Sequence, residues 1–193
     1  MISKNIFTFL NALKNNNERQ WFKENISTFR TAESEVKLFY SQLYDQLNQL
    51  DSIDNFKVFR IYRDIRFSKN KTPYKTHFSG SFHRTKPELR GGYYLHLAAN
   101  NESFIATGFW NPNKEDLIRL RKEFEIDSED LRAIIAEPRF KAIWGPLVGD
   151  ELRSAPRGFD KQDPNIDLIR KKQFIFIKKF TDKEVLSERF LKE

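Results

Sequence analysis

The 193-residue chain contains no cysteine, which excludes disulfides, thiolate zinc sites, iron–sulfur clusters and cysteine nucleophiles. No apolar run approaches the roughly 20 residues that a bilayer-spanning helix needs. The opening MISKNIFTFLNA has a short mixed apolar pattern without the layout of a cleavable signal. No membrane partner is therefore expected, and the cytoplasm is the default location. The Gly-x-x-x-x-Gly-Lys-Ser/Thr loop is missing, so nothing supports nucleoside triphosphate hydrolysis. Also absent are HExxH spacing, a nucleophile elbow, a zinc finger, a KH loop, a helix-turn-helix signature and the aromatic RNP pattern. There is no internal repeat and no low-complexity segment.

What is present is charge and ring. Charged residues make up 32% of the chain, the formal net charge is +7, and there are 19 phenylalanines. The size fits a single domain over residues 1–193. The charge inclines the protein towards anionic partners without naming one.

The first fifty residues read as helical. Ser3 is placed to cap a helix whose Ile6, Phe9, Leu10 and Leu13 share a face, and Asn17 to cap a short second helix carrying Trp21 and Phe22. A third helix from about Thr28 to Leu50 has Val36, Phe39, Tyr40, Leu43 and Leu47 as its apolar stripe. The period then changes. Residues 56–67, about 77–83, YYLHLA after Gly91-Gly92, and FIATGFW after NNES read as four strands without a helical crossover. Helices return after Trp110, capped by Asn113 and by Asp127 or Ser128 and started by Pro138. Asp163-Pro164 reads as another helix start, QFIFIKKF as a strand, and Thr181 with Glu184 as a capping box. The expected class is α+β, with an antiparallel or mixed sheet and packed N-terminal and C-terminal helices.

The segment FRIYRDIRFSKNKTPYKTHF sets three arginines, three lysines and His77 against the single Asp64. In a regular strand Arg60, Asp64 and Arg66 share a face. Two guanidinium forks side by side can grip a phosphate or carboxylate, with Asp64 fixing their orientation. The alternative is a surface ionic network in which Asp64 bridges to an arginine. Lys69, Lys71 and Lys75 form either an anion-binding loop or solvated charge. Among the three histidines His77 is the best proton-transfer candidate, with Asp64 beside it, while His96 alternates with Tyr94 in an apolar strand and reads as packed. Gly108 and Ala106 leave room beside Trp110 for a ligand or, more commonly, for a neighbouring helix. In PRGFD the tight turn presents Arg157 and anchors Phe159.

The segments NNNERQWFKEN at 15–25, RIYRDIRFSKNKTPYKTHF at 60–78, GGYYLHLA at 91–98, ATGFWNP at 106–112 and PRGFDKQDPNIDLIRKKQF at 156–174 occur in a fixed order. Together they resemble the uncharacterised bacterial family known as domain of unknown function 2461. The resemblance spans nearly the whole chain and implies no activity, cofactor or catalytic residue. In that family the PRGF segment is commonly followed by His-Pro, whereas this chain has Asp163-Pro164. Family members tend to continue through a further helical segment, so Thr181–Glu193 is expected to begin a truncated terminal helix.

The residues support binding of, or catalysis on, a small anion in a pocket lined by Arg60, Arg66, Arg157, Tyr94 and Trp110, with His77 or Asp64 moving a proton. No metal or cofactor is called for. The alternatives are nucleic-acid binding through residues 57–90, where ten lysines and arginines face two acids, and a macromolecular interaction scaffold.

Overall fold

The computed structural model describes residues 1–192. Its five strands are β1 (Ile53–Val58), β2 (Phe78–Arg84), β3 (Gly92–Leu97), β4 (Ser103–Phe109) and β5 (Phe174–Phe180). They form one antiparallel sheet in the order β1-β2-β3-β4-β5, flanked by N-terminal and C-terminal helices, so the α+β class holds. The chain divides into two compact units, Met1–Ile105 with Lys179–Glu193, and Ala106–Lys178.

In the first unit α1 (Lys4–Asn15), α2 (Arg19–Glu24) and α3 (Ile26–Leu47) bury the apolar stripes read from the sequence. Ile6, Phe9, Leu10 and Leu13 of α1 and Val36, Phe39 and Tyr40 of α3 are all buried. They meet Phe78, Phe82, Leu95 and Leu97 in one core. Strand register explains which side chains arrive there. Phe78 pairs with Leu97 and Gly80 with Leu95, so these point at the helices, and the alternate residues Ser79, Ser81, Tyr94 and His96 point the other way. Tyr40 fixes the approach of α3: its ring stacks on Phe82 at 5.6 Å and its hydroxyl donates to Leu95 O at 2.7 Å. A Cβ at Gly80 would lie 2.5 Å from the Tyr40 ring, so only glycine admits that ring. Asn100 and Asn101 take positive φ of 67° and 61° in the turn between β3 and β4, as a two-residue hairpin requires.

Local expectations change in this unit: Ser3 stands at the N-cap of α1 without a side-chain capping bond. Asn17 does not cap α2, whose N-cap is Glu18. Its amide instead donates to Tyr74 O at 3.0 Å and accepts from Tyr74 N at 3.1 Å, imitating a strand partner. The strand expected over 56–67 starts earlier and ends at Val58. Beyond it the chain makes an excursion from Phe59 to His77 that is zipped only part of the way. Phe59 N donates to Ser79 O, Lys75 N to Ile61 O and Arg63 N to Pro73 O, with an isolated bridge between Tyr62 and Tyr74. The turn chemistry of SKNKTP breaks the ladder that the apolar alternation alone would have extended.

In the second unit α4 (Lys114–Ile126), α5 (Glu129–Ala136), α6 (Pro138–Trp144) and α7 (Ile166–Ile169) accompany the ends of β4 and β5 that belong to it. Asn113 caps α4 as expected, accepting from Asp116 N. The space beside Gly108, φ +128°, is taken by strand backbone: a Cβ there would lie 2.0 Å from Phe174 O. What approaches is β5 rather than a ligand or a helix. The helix expected at Asp163-Pro164 begins at Ile166, because Asp163 first closes a turn on Asn165 N at 2.7 Å. Back in the first unit, the capping box of Thr181 and Glu184 forms, and it opens the one-turn helix α8 (Asp182–Val185).

Asn17→Ala removes both bonds to the Tyr74 backbone and leaves a part-buried N–H and C=O unpartnered. Urea denaturation is expected to show a loss of about 1–3 kcal/mol, and a loss no larger than that of Glu18→Ala, whose side chain makes no capping bond, would mean that the two bonds to Tyr74 contribute little.

Candidate functional site

The excursion carries the chemistry, and its return limb is held from the helical side. Tyr74 is buried and stacks on Phe22 with ring centroids 4.0 Å apart and planes 13° apart. With Tyr74 and Ile61 pinned inward, Lys75 and His77 are delivered to the sheet face opposite the helices, where Tyr94 and His96 of β3 emerge.

There the rings of His77 and His96 lie 4.0 Å apart, and His96 stacks on Phe104 at 4.7 Å. The Tyr94 hydroxyl and His96 Nδ1 are hydrogen bonded at 3.2 Å. Burial pulls the His77 pKa down to about 4, with the neighbouring His96 and Lys75 charges adding to the effect. Burial lowers His96 also, although Glu102 opposes it. Both imidazoles are therefore neutral near pH 7, able to donate one N–H and accept at the other nitrogen.

Lys75 completes the group. It is half-buried, its Nζ lies 5.6 Å from the centroid of the Phe59 ring, and burial and then the charge of Arg60 lower its pKa. Arg60 is exposed and makes no ion pair among the described residues, although its charge also reaches Asp64.

The residues singled out from sequence are distributed unevenly over this arrangement. His77, Tyr94 and His96 meet, with Arg60 electrically coupled to Lys75 beside them. Asp64 and Arg66 pair with each other: Arg66 Nε donates to Oδ1 at 3.0 Å and its NH2 to Oδ2 at 2.6 Å. The hydrogen bond from Arg66 is the main reason the Asp64 pKa falls. They are brought together by a turn, Arg66 N also donating to Asp64 Oδ1, and not by the shared strand face. Arg157 and Trp110 are exposed residues of the second unit. Arg157 stands in the expected tight turn, where Gly158 has φ +88° and Phe159 packs with Phe124 and Leu168. Among the described residues no three His, Asp or Glu side chains gather as a metal-ion site.

Sequence reasoning left Lys75 open between an anion-binding loop and solvated charge, and read His96 as packed in the sheet. The Tyr94-x-His96 alternation already put the hydroxyl and the imidazole on one face. Nothing in the sequence indicated that His77, nineteen positions earlier, would land on the same imidazole.

The profile of the family described as Conserved hypothetical protein (DUF2461) matches residues 5–193, and the chain belongs to that family. No curated protein and no solved structure matches it. No helix among the described residues is long and apolar enough to cross a membrane.

The depressed His77 pKa has a stability signature with a defined sign. Between about 4 and the unfolded value of 6.5 the unfolded chain binds the proton and the folded one does not. Stability therefore rises with pH across that window and is lost as pH falls through it. Urea midpoints at pH 4.5, 5.5 and 6.5 are expected to show a shallower pH slope for His77→Gln than for the parent. Equal slopes would mean that His77 titrates normally.

Proposed function

We propose that this member of the family binds a small anionic ligand between Arg60 and Lys75, beside the neutral His77–His96 pair. The observation that carries the proposal is the half-buried Lys75, which pairs with no carboxylate among the described residues and feels the like charge of Arg60. Holding two cations together while one is withdrawn from water is unfavourable. A phosphate or carboxylate seated between them replaces repulsion with charge-assisted hydrogen bonds, each contributing roughly 1.5–3 kcal/mol. His77 then donates a neutral N–H to the anion, and Phe59, Tyr94 and Phe104 supply apolar walls around a few polar groups. Arg66 contributes little to such a site, because Asp64 already occupies its fork.

The anion also changes what His77 can do. A negative charge beside the ring favours imidazolium and raises its pKa back towards the physiological range. A ligand that arrives as an anion thereby brings a proton donor into play against itself, which makes His77 the residue through which turnover would proceed.

The test uses orthophosphate and citrate as probes, with chloride at matched ionic strength as control. Lys75→Met keeps an apolar stem against Phe59 while removing the charge. The parent is expected to gain thermal stability with phosphate or citrate, reaching about 2.7 kcal/mol at a hundredfold excess over Kd. In NMR titrations its His77 pKa should move upward. Lys75→Met is expected to be as stable as the parent, or more so, without the anion and to lose the response. A parent that responds to chloride as well as it does to phosphate and citrate, or a Lys75→Met variant with the parental response, overturns the reading.

A further inference from the structure

The tip of the excursion carries a feature that the anion site does not use. Phe67 is 97% exposed, and it stands between Arg66 and Lys69 on a turn that is hydrogen bonded from within. Lys71 Nζ donates to Ile65 O at 3.0 Å, Arg63 NH1 donates to Thr72 O at 3.2 Å, and Thr72 N donates to Asn70 Oδ1 at 2.9 Å. Ser68 Oγ accepts from Arg63 NH2, and Asp64 closes on the Arg66 backbone. An exposed phenylalanine on a slack loop would fold back onto apolar surface, whereas these bonds hold the ring outward. The charge around it is lopsided. Of the seven lysines and arginines from Lys57 to Lys75, only Arg66 pairs with a carboxylate among the described residues.

We infer that this tip binds single-stranded nucleic acid, with Phe67 stacking on an unpaired base and Lys69, Lys71 and Arg63 following the phosphates. A free ring face offers a base the same contact whatever its identity, and cations that no carboxylate neutralises can track a backbone while Lys71 and Arg63 also hold the turn. The ring has no access to a stacked base in a duplex, so the preference for single strands follows from the geometry. A lone large apolar side chain ringed by charge gives a lipid surface too little to bury, and an acidic peptide offers the ring nothing to stack on.

The inference stands apart from the Arg60–Lys75 reading, and its test separates the two. Fluorescein-labelled dT15 and its duplex are titrated with the intact protein at increasing salt, followed by anisotropy. Binding of dT15 is expected to weaken with log salt at about −0.7 per neutralised phosphate. Phe67→Ala, a change at an exposed position, is expected to weaken it about tenfold while leaving the phosphate-induced thermal shift unchanged. In Phe67→Trp the emission of the new indole is expected to be quenched on adding dT15. Failure to bind dT15 at low salt overturns the inference, as does undiminished binding by Phe67→Ala or tighter binding of the duplex. Binding of phosphatidylserine vesicles or polyglutamate in place of dT15 does so too. A loss of the phosphate response in Lys75→Met with dT15 binding retained leaves the tip's role intact.

Discussion

Tyr74 is held by a ring stack on Phe22 and by two hydrogen bonds with one side-chain amide, that of Asn17, which donates one and accepts the other. The placement of the whole excursion between β1 and β2 depends on this contact. Regular ladder bonding stops within a few residues of Val58, so the outward limb has little of its own to fix it. Fastening the return limb at Tyr74 sets the register of the residues that follow. Lys75 is bonded back to Ile61, His77 is turned to the far face of the sheet, and Phe78 enters β2 pointing at the helices. A buried aromatic stack supplies apolar area, and the amide supplies direction, since it can satisfy a backbone donor and acceptor only in one alignment.

Burial then acts differently on the two kinds of base that the excursion delivers. An imidazole withdrawn from water can release its proton, and His77 and His96 do so, each lowered chiefly by desolvation. Arginine has no such escape, since a guanidinium keeps its charge at every ordinary pH, and the excursion places Arg60 beside Lys75. The face therefore combines neutral hydrogen-bonding rings with fixed positive charge. Lys75 lies between these extremes, pushed down by burial and by its neighbour, with the Phe59 ring below its ammonium as partial compensation.

The second unit shows how the same chain treats a cation whose role is structural. Arg121 is buried and its pKa is lowered by desolvation. Its Nε donates to Ile169 O at 2.8 Å and its NH2 to Lys171 O at 3.2 Å. It thus satisfies carbonyls left over at the end of α7 and places positive charge where a helix terminus favours it. Arg132 is likewise consumed, bonded to Ser128, Asn165 and Asp167 across α5 and α7. Against these saturated guanidinium groups, Arg60 and Lys75 pair with no carboxylate among the described residues.

Much of the fold was legible from the sequence. Apolar residues spaced at 3.6 produced α1 and α3, alternation produced β2 to β5, and asparagine at 100, 101 and 113 marked a tight turn and a cap, all through interactions within a few residues of each other. The sequence also placed the family and drew attention to residues 59–78. It misjudged the internal form of that segment, because alternation continues past Val58 while the partner strand does not. Nor did it tell that Asn17 would clamp Tyr74 fifty-seven positions away, that Asp64 would take Arg66 through a turn, or that His77 would meet His96. Those pairings are set by strand register and by the packing of helices on the sheet, and both are properties of contacts distant in sequence. Charge and residue type are carried by the chain itself. Which charges end up without a counter-ion is decided only when tertiary packing has chosen which of them are paired and which are withdrawn from water.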